Sequence, residues 1–337
     1  MTDFTNVQKQ FLQKIEDLTP KESSMVFELS ELLEISTDSA YRRMRGETLL
    51  TIDEIVKLCN HYNVSFDAFS KTETGMVTFR YTNPEPVSDS FLEYLTKMHE
   101  DLVKISLHKE PRIVYAAEDI PVFFHYGFDE ISSFKIFYWL KSIINTPELA
   151  SEKYNPSMID PAILEVSKKI FKLYTQIPSL EIWTGNTVMS TVKQIEYYWE
   201  SGMFLTIEDA LKVCASLKNE IVSIQRMAEY SRKGDVQTSV NEAYPKNYEL
   251  YFSDVEITNN CVLVEMNPLK AVYLGHFSFY TMSTVNEAYC VRTQQWMNTI
   301  IKKSTLISGV SEKHRNRFFM KIFKSIEDLE QKIQLGQ

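Results

Sequence analysis

The segment ELSELLEISTDSAYRRMRGETLLTIDEIVKLCNHYNVSFDAF, Glu28 to Phe69, sets short apolar-periodic stretches around the polar break Ile35-Ser36-Thr37 and then places Arg42, Arg43 and Arg45 within four positions. Apolar residues three and four apart share one helix face, so the spacing predicts helices on both sides of the break. One begins near Ser23 or Ser24 and turns Leu29, Leu32 and Leu33 inward. The next is capped by Ser36 or Thr37 and ends near Gly46. Thr51 caps a further helix carrying Ile52, Ile55, Val56, Cys59 and Tyr62. Upstream, Val7, Phe11, Ile15 and Leu18 form another stripe that Pro20 ends. Four or five short helices in about seventy residues make a compact all-α unit.

On a helix starting near Thr37, Ala40 and Met44 lie four apart and pack inward. Thr37, Asp38, Ser39 and Arg42 then point away. The segment resembles the lambda-repressor-like helix-turn-helix family over about the first seventy residues. LSELLEIS matches the first helix and turn, TDSAYRRMRG the recognition helix, and LTIDEIVKLCNHYNVSFDAF the two supporting helices. The resemblance implies a recognition helix lying in the major groove of double-stranded DNA, with early residues on base edges and flanks on phosphates. Hydroxyls of Thr37 and Ser39 then suit base edges, Asp38 suits a cytosine amino group, and Arg42 suits a guanine or a phosphate. Arg45 is better placed for phosphate, and Tyr41 for a sugar, a thymine methyl or packing. Three positions depart from the family pattern. Glu34 stands where glycine is usual, which fits a turn that is not left-handed; Val26 replaces a common phosphate-contacting glutamine; and Arg43 replaces a core aliphatic.

A short basic run is often only a solvated face. Here it falls on the helix that the motif designates, while Glu28, Glu31 and Glu34 crowd the preceding one. Residues 1 to 75 nevertheless hold 8 Lys and Arg against 13 Asp and Glu, a net of −5. With −9 over all 337 residues, general affinity for nucleic acid or anionic membrane is not expected, and any DNA contact must be local. Four widely separated cysteines read as reduced packing residues. The first residues show no secretory leader, and the most apolar tract, IPVFFHYGFDEISSFKIFYWL, is interrupted by Asp129, Glu130 and Lys135. A cytoplasmic protein with no membrane contact is expected.

Turn formers with Pro84 and Pro86 place a linker at 76–87, between an all-α helix-turn-helix domain at 1–75 and a larger α+β domain at 88–337 with a small, partly antiparallel sheet. Strands are predicted from Arg112 (RIVYAA), Leu180 (LEIWTG), Tyr248 (YELYFSDV), Cys261 (CVLVEM) and Ala271 (AVYLGHFSF), the last three as an antiparallel meander. The stripe Phe91, Leu95, Met98, Leu102, Ile105 keeps a 4,3 spacing that suits a helix seam. So do Ile207 to Ala228, opened by a Thr206–Asp209 capping pair, and Phe319 to Ile333. Three such seams cannot all join two copies, yet the first, just past the linker, suits the homodimer that paired half-sites call for.

Aromatics gather in PVFFHYGF, FKIFYW, LEIWTG and IEYYWE, as core or as the lining of a small-molecule effector pocket. The segment EKHRNRFFMKIFK sets five basic residues around Phe318 and Phe319, the pattern of an amphipathic helix. The six histidines show no metal-binding spacing, the nine glycines form no phosphate loop, and no nucleophile and base stand in recognised spacing. No metal, cofactor or catalytic residue is called for. The reading is a sequence-specific DNA-binding transcription regulator with a C-terminal sensing or dimerisation domain. Its competitors are a protein-interaction module that keeps the fold, and an enzyme of unrecognised type in the larger region.

Overall fold

The computed structural model describes residues 4–18, 24–62, 64, 66, 76–82, 88–234, 246–276 and 280–336. They divide into two units, Met1–Phe79 and Arg80–Gln337. The first unit contains α1 (Phe4–Leu18), α2 (Met25–Leu33), α3 (Thr37–Met44) and α4 (Ile52–Tyr62). Phe11, Ile15, Leu29, Ala40 and Leu58, all without solvent exposure, form its core. Ser36 caps α3 by accepting from the Ser39 N–H. At α4 the cap is reciprocal: the Glu54 N–H donates to Thr51 Oγ1 at 3.2 Å and the Thr51 N–H donates to Glu54 Oε2 at 2.9 Å. Ile52 and Val56 point outward, at 80% and 51% exposure. The second supporting helix read in NVSFDAF lies outside the described residues, apart from Val64 and Phe66, which pack on this core.

The second unit opens with β1 (Arg80–Thr82), so three residues assigned to a linker belong to a sheet. There follow α5 (Ser88–Ser106), β2 (Arg112–Ala117), α6 (Val122–His125), α7 (Asp129–Tyr138), α8 (Pro161–Gln176), β3 (Ser179–Trp183), α9 (Met189–Glu200) and α10 (Ile207–Tyr230). The chain closes with β4 (Tyr248–Phe252), β5 (Cys261–Met266), β6 (Leu269–His276), β7 (Tyr280–Thr284), α11 (Glu287–Lys302), β8 (Thr305–Leu306) and α12 (Glu312–Leu335). Among the described residues the sheet has eight strands, in the order β1-β7-β6-β5-β2-β3-β4-β8. It has three strands more than expected: β1 and β8, of three and two residues, are too short to show a period, and β7, YTMST, holds no apolar run to announce it.

The predicted meander is corrected. β5, β6 and β7 are antiparallel neighbours, but β4 lies elsewhere, parallel to β3 and antiparallel to β8. β2 pairs parallel with β3 and antiparallel with β5, and so stands inside the sheet. Burial on both faces explains its unbroken apolar run RIVYAA. Ile113, Tyr115 and Ala117 enter the larger core, with α5 to α10 and α12, whereas Val114 and Ala116 enter a smaller one with α11.

The seam reading of α5 is corrected as well. Phe91, Leu95, Leu102 and Ile105 are buried in the larger core, and α5 packs along α8. A 4,3 stripe shows that a helix packs on another, not whose helix that is. The other two stripes meet each other: α10, with Ala210 to Ala228 buried, packs on α12, with Phe319 to Ile333 buried. Within α12, Arg315 is only 4% exposed and donates to the carbonyls of Ile307 and Gly309. The four cysteines are unbridged.

Candidate functional site

The turn between α2 and α3 is built on Glu34, whose φ of 58° and ψ of 43° are left-handed. This overturns the expectation that glutamate here marks a turn of another hand. The Glu34 N–H closes α2 on the carbonyls of Ser30 and Glu31, so the strain of a left-handed side chain is held by the helix end. After α3 the chain turns at Gly46, with φ of 75°, and the N–H groups of Glu47 and Thr48 both donate to the Arg42 carbonyl.

Three arginines have two different employments. Arg43 is withdrawn from the surface: its Nε and Nη2 grip the two Glu54 oxygens at 3.1 and 2.7 Å, and both side chains are about one-seventh exposed. Burial pushes the Glu54 carboxyl up, but bonds from Arg43 and the Thr51 N–H, with the charges of Arg43 and Lys57, outweigh it and hold the group below its ordinary range. Arg42 and Arg45 remain more than half exposed, and Glu47 lies 3.9 and 3.2 Å from them. The basic character that the sequence assigns to α3 is therefore partly answered within the unit.

Of the other expected contact residues, Thr37, Asp38 and Tyr41 are exposed, while Ser39 is half-buried with its Oγ 2.9 Å from Ser36 Oγ. Ala40 is buried and Met44 packs on the core, as their spacing implied. Sequence reading missed Gln8. It is 7% exposed, its Nε2 donates to the Arg43 and Thr48 carbonyls at 2.8 and 2.9 Å, and its Oε1 accepts from the Leu50 N–H at 2.9 Å. One amide side chain of α1 thus holds the whole loop from α3 to α4. A polar residue on the buried side of the stripe Val7, Phe11, Ile15 was the available signal.

The second unit contains a cavity of about 200 Å³ between α5 and the sheet. PVFFHYGF contributes Val122, Phe123 and His125 to it, and FKIFYW contributes Lys135 and Trp139, whereas LEIWTG and IEYYWE do not line it. At Trp139 the helical path widens into a π-helical turn, Trp139–Ile143. Lys135 is 2% exposed and donates from Nζ to Gln194 Oε1 at 2.7 Å and Thr191 Oγ1 at 3.4 Å. Burial pulls its ammonium below the ordinary lysine range, against the charges of Asp119 and Glu220. His125 Nδ1 lies 2.9 Å from Glu220 Oε2, both side chains being buried.

The chain matches no protein-family model, no curated protein and no solved structure.

A separate buried cluster surrounds Glu181 on β3. Its oxygens accept from Tyr174 Oη at 2.6 Å, Trp183 Nε1 at 2.9 Å and Tyr248 Oη at 3.1 Å. Lys233 Nζ donates to the Tyr174 carbonyl at 2.7 Å and sits 3.7 Å from the centre of that ring. Burial raises the Glu181 carboxyl, opposed by the Lys233 charge and its three donors, and burial pulls Lys233 down to about 7. These partners are themselves core residues, so the cluster binds strands and helices together. No helix among the described residues is long and apolar enough to cross a membrane.

Proposed function

We propose that the chain is a sequence-specific DNA-binding transcription regulator of the cytoplasm, in which α2 and α3 work as a helix-turn-helix and the larger unit senses an effector. The observation that carries this reading is the sorting of the arginines. Arg43 braces α3 on α4, and Gln8 braces the loop behind it, while Thr37, Asp38, Tyr41, Arg42 and Arg45 are left exposed on or just after a fixed helix. Exposed ion pairs such as those of Glu47 are worth about 0–1 kcal/mol, so a phosphate can replace the carboxylate at little cost. In this reading two copies occupy paired half-sites, joined by a surface other than the α5 stripe.

One observation favours a second reading, a protein-interaction module. Ile52 and Val56 lie one turn apart on an exposed face of α4, with Leu49 exposed just before them at 63%. A mobility shift of the full-length chain on genomic fragments, repeated over a salt series, separates the two. DNA binding requires a complex that weakens as salt rises, and Arg45→Ala flattens the slope by about one unit if that residue holds a phosphate. Arg42→Ala lowers affinity by roughly 1–3 kcal/mol and relaxes base preference if it grips a base. A folded chain that shifts no fragment at low salt leaves the protein-interaction reading.

A further inference from the structure

We propose that the cavity of the second unit binds a small, uncharged, largely apolar molecule of one ring, whose head carries both a hydrogen-bond donor and an acceptor, as a primary carboxamide does. The inference rests on the reading of the larger unit as the sensing part. Size comes first. A cavity of about 150 Å³ lined by aliphatic and aromatic residues admits benzene, and this one, at about 200 Å³ with the exposed Arg80 and Lys97 and the half-buried Asp101 also in its lining, leaves room for a short substituent. Its walls are mainly apolar, including Met98, Ile105, Ile120, Val262 and Val264.

Chemistry comes second. Two polar residues of the lining, Asp119 and His125, each bury an atom, Oδ1 and Nε2, that makes no hydrogen bond among the described residues. Buried polar atoms of this kind ordinarily have partners, and a bound molecule supplies them. The carboxylate oxygen takes a donor. Lys135 Nζ has two hydrogen-bond partners among the described residues and stands 5.4 Å from the centre of the Trp139 ring, itself a wall of the cavity, so an acceptor that enters there can take its third proton from the ring face. Both charge signs therefore line the cavity. An anion would meet Asp119, with Glu220 just behind His125; a cation would meet Lys135; neither would leave water without loss. A primary amide satisfies the carboxylate with one N–H and the Lys135 ammonium with its oxygen, and its second N–H suits His125 Nε2, which accepts when Nδ1–H donates to Glu220.

The anchor is built into the fold. Asn260, at the start of β5, accepts at Oδ1 from the N–H groups of Glu118 and Asp119, at 2.9 and 3.2 Å. Its carbonyl accepts from the Gly275 N–H at 2.8 Å. Gly275 forms part of the lining, and a Cβ there would stand 3.2 Å from Asn260 Cβ, so glycine allows the residue that fixes Asp119 to sit close.

Calorimetric titration of the full-length chain with 4-ethylbenzamide, 4-ethylacetophenone, 4-ethylbenzoate and 4-ethylbenzylamine tests the assignment. The amide is expected to bind at least about tenfold more tightly than each of the others, the gain of one buried bond to a charged acceptor. Asp119→Ala should lower amide affinity by about tenfold or more and leave the ketone unchanged, and Met98→Trp, which fills the cavity, should abolish amide binding with the circular dichroism spectrum retained. No binding by any probe at about 1 mM, a charged probe or the ketone binding as well as the amide, or amide binding that survives Met98→Trp overturns the proposal. The mobility shift on DNA is a separate measurement. Probe binding without DNA binding removes the regulator reading alone, and DNA binding without probe binding removes this one alone.

Discussion

Replacing Arg43 with methionine keeps the length and apolar body of the side chain and removes a two-pronged grip on Glu54. The bonds at 3.1 and 2.7 Å join side chains that are 14% and 13% exposed, so water recovers little of the loss. A hydrogen bond to a charged group contributes about 1.5–3 kcal/mol net, and the two share one carboxylate, so the expected cost is about 2–4 kcal/mol. A unit of this size has roughly 4–12 kcal/mol in total. Hydrogen exchange followed by mass spectrometry in the full-length chain should then show α3 and α4 amides exchanging roughly 30- to 1,000-fold faster than in the parent. Adding Glu54→Gln keeps the acceptor for the Thr51 N–H and removes the stranded charge, so the double variant should regain about 1–2 kcal/mol. Because Glu54 titrates below its ordinary value, the contribution of the pair is present above pH 4.5 and fades as pH falls through the lowered value. Unchanged exchange in Arg43→Met, together with lost affinity for DNA, would mean that Arg43 is a contact and not a brace, and the division of labour among the arginines would fall.

Glu34→Gly should stabilise the first unit by about 0.5–1 kcal/mol, because glycine adopts the left-handed turn without the side-chain penalty and gives back only part of that gain as chain entropy; a lower unfolding midpoint contradicts this. Leu95→Glu places a charge at a position with no exposure and should cost at least about 4 kcal/mol; a well-folded monomer obtained from a dimeric parent would instead restore the seam reading of α5. For Lys233, whose folded value of about 7 lies below its ordinary 10.5, the unfolded chain binds the extra proton between those values, so stability should rise with pH across that window, by at most about 1.4 kcal/mol per unit. Glu181, raised by burial, acts in the opposite sense just above pH 4.5, and Lys233→Met should erase the alkaline rise in thermal unfolding and, by removing the charge that opposes burial at Glu181, extend the acid-side fall to higher pH.

Local signals carried most of what sequence could disclose. The caps at Ser36, Thr51 and Thr206 need only a hydroxyl and the N–H groups of the next turn, and they form as their spacing implies. RIVYAA and CVLVEM become strands with those ends, RIVYAA because a run buried on both faces needs no partner to be recognised, CVLVEM because its β-branched and apolar residues stand between clear turn signals. What a segment pairs with was not legible in the same way. β4 looked like the first strand of a meander, yet its partner β3 lies beyond two helices in the chain. The α5 stripe carries no mark that distinguishes a neighbour in its own chain from a second copy. At the candidate site the exposed face of α3 followed from its period, but the fate of Arg43 depended on Glu54, eleven residues on, and that of the loop on Gln8, some forty residues back. The cavity drew on segments already noticed for their aromatics, while its polar anchors Asp119 and Asn260 lie in connections with no period at all.

Gln8 also bears on what counts as a transplantable piece. Cut to residues 24–62, the first unit would keep α2, the turn, α3 and α4, which hold most of the matched motifs, and a graft made on those motifs alone would leave out α1. It would arrive in its new host with two carbonyls and an N–H of the loop from α3 to α4 stripped of their common partner. The heritable module, for recombination as for the bench, begins at α1.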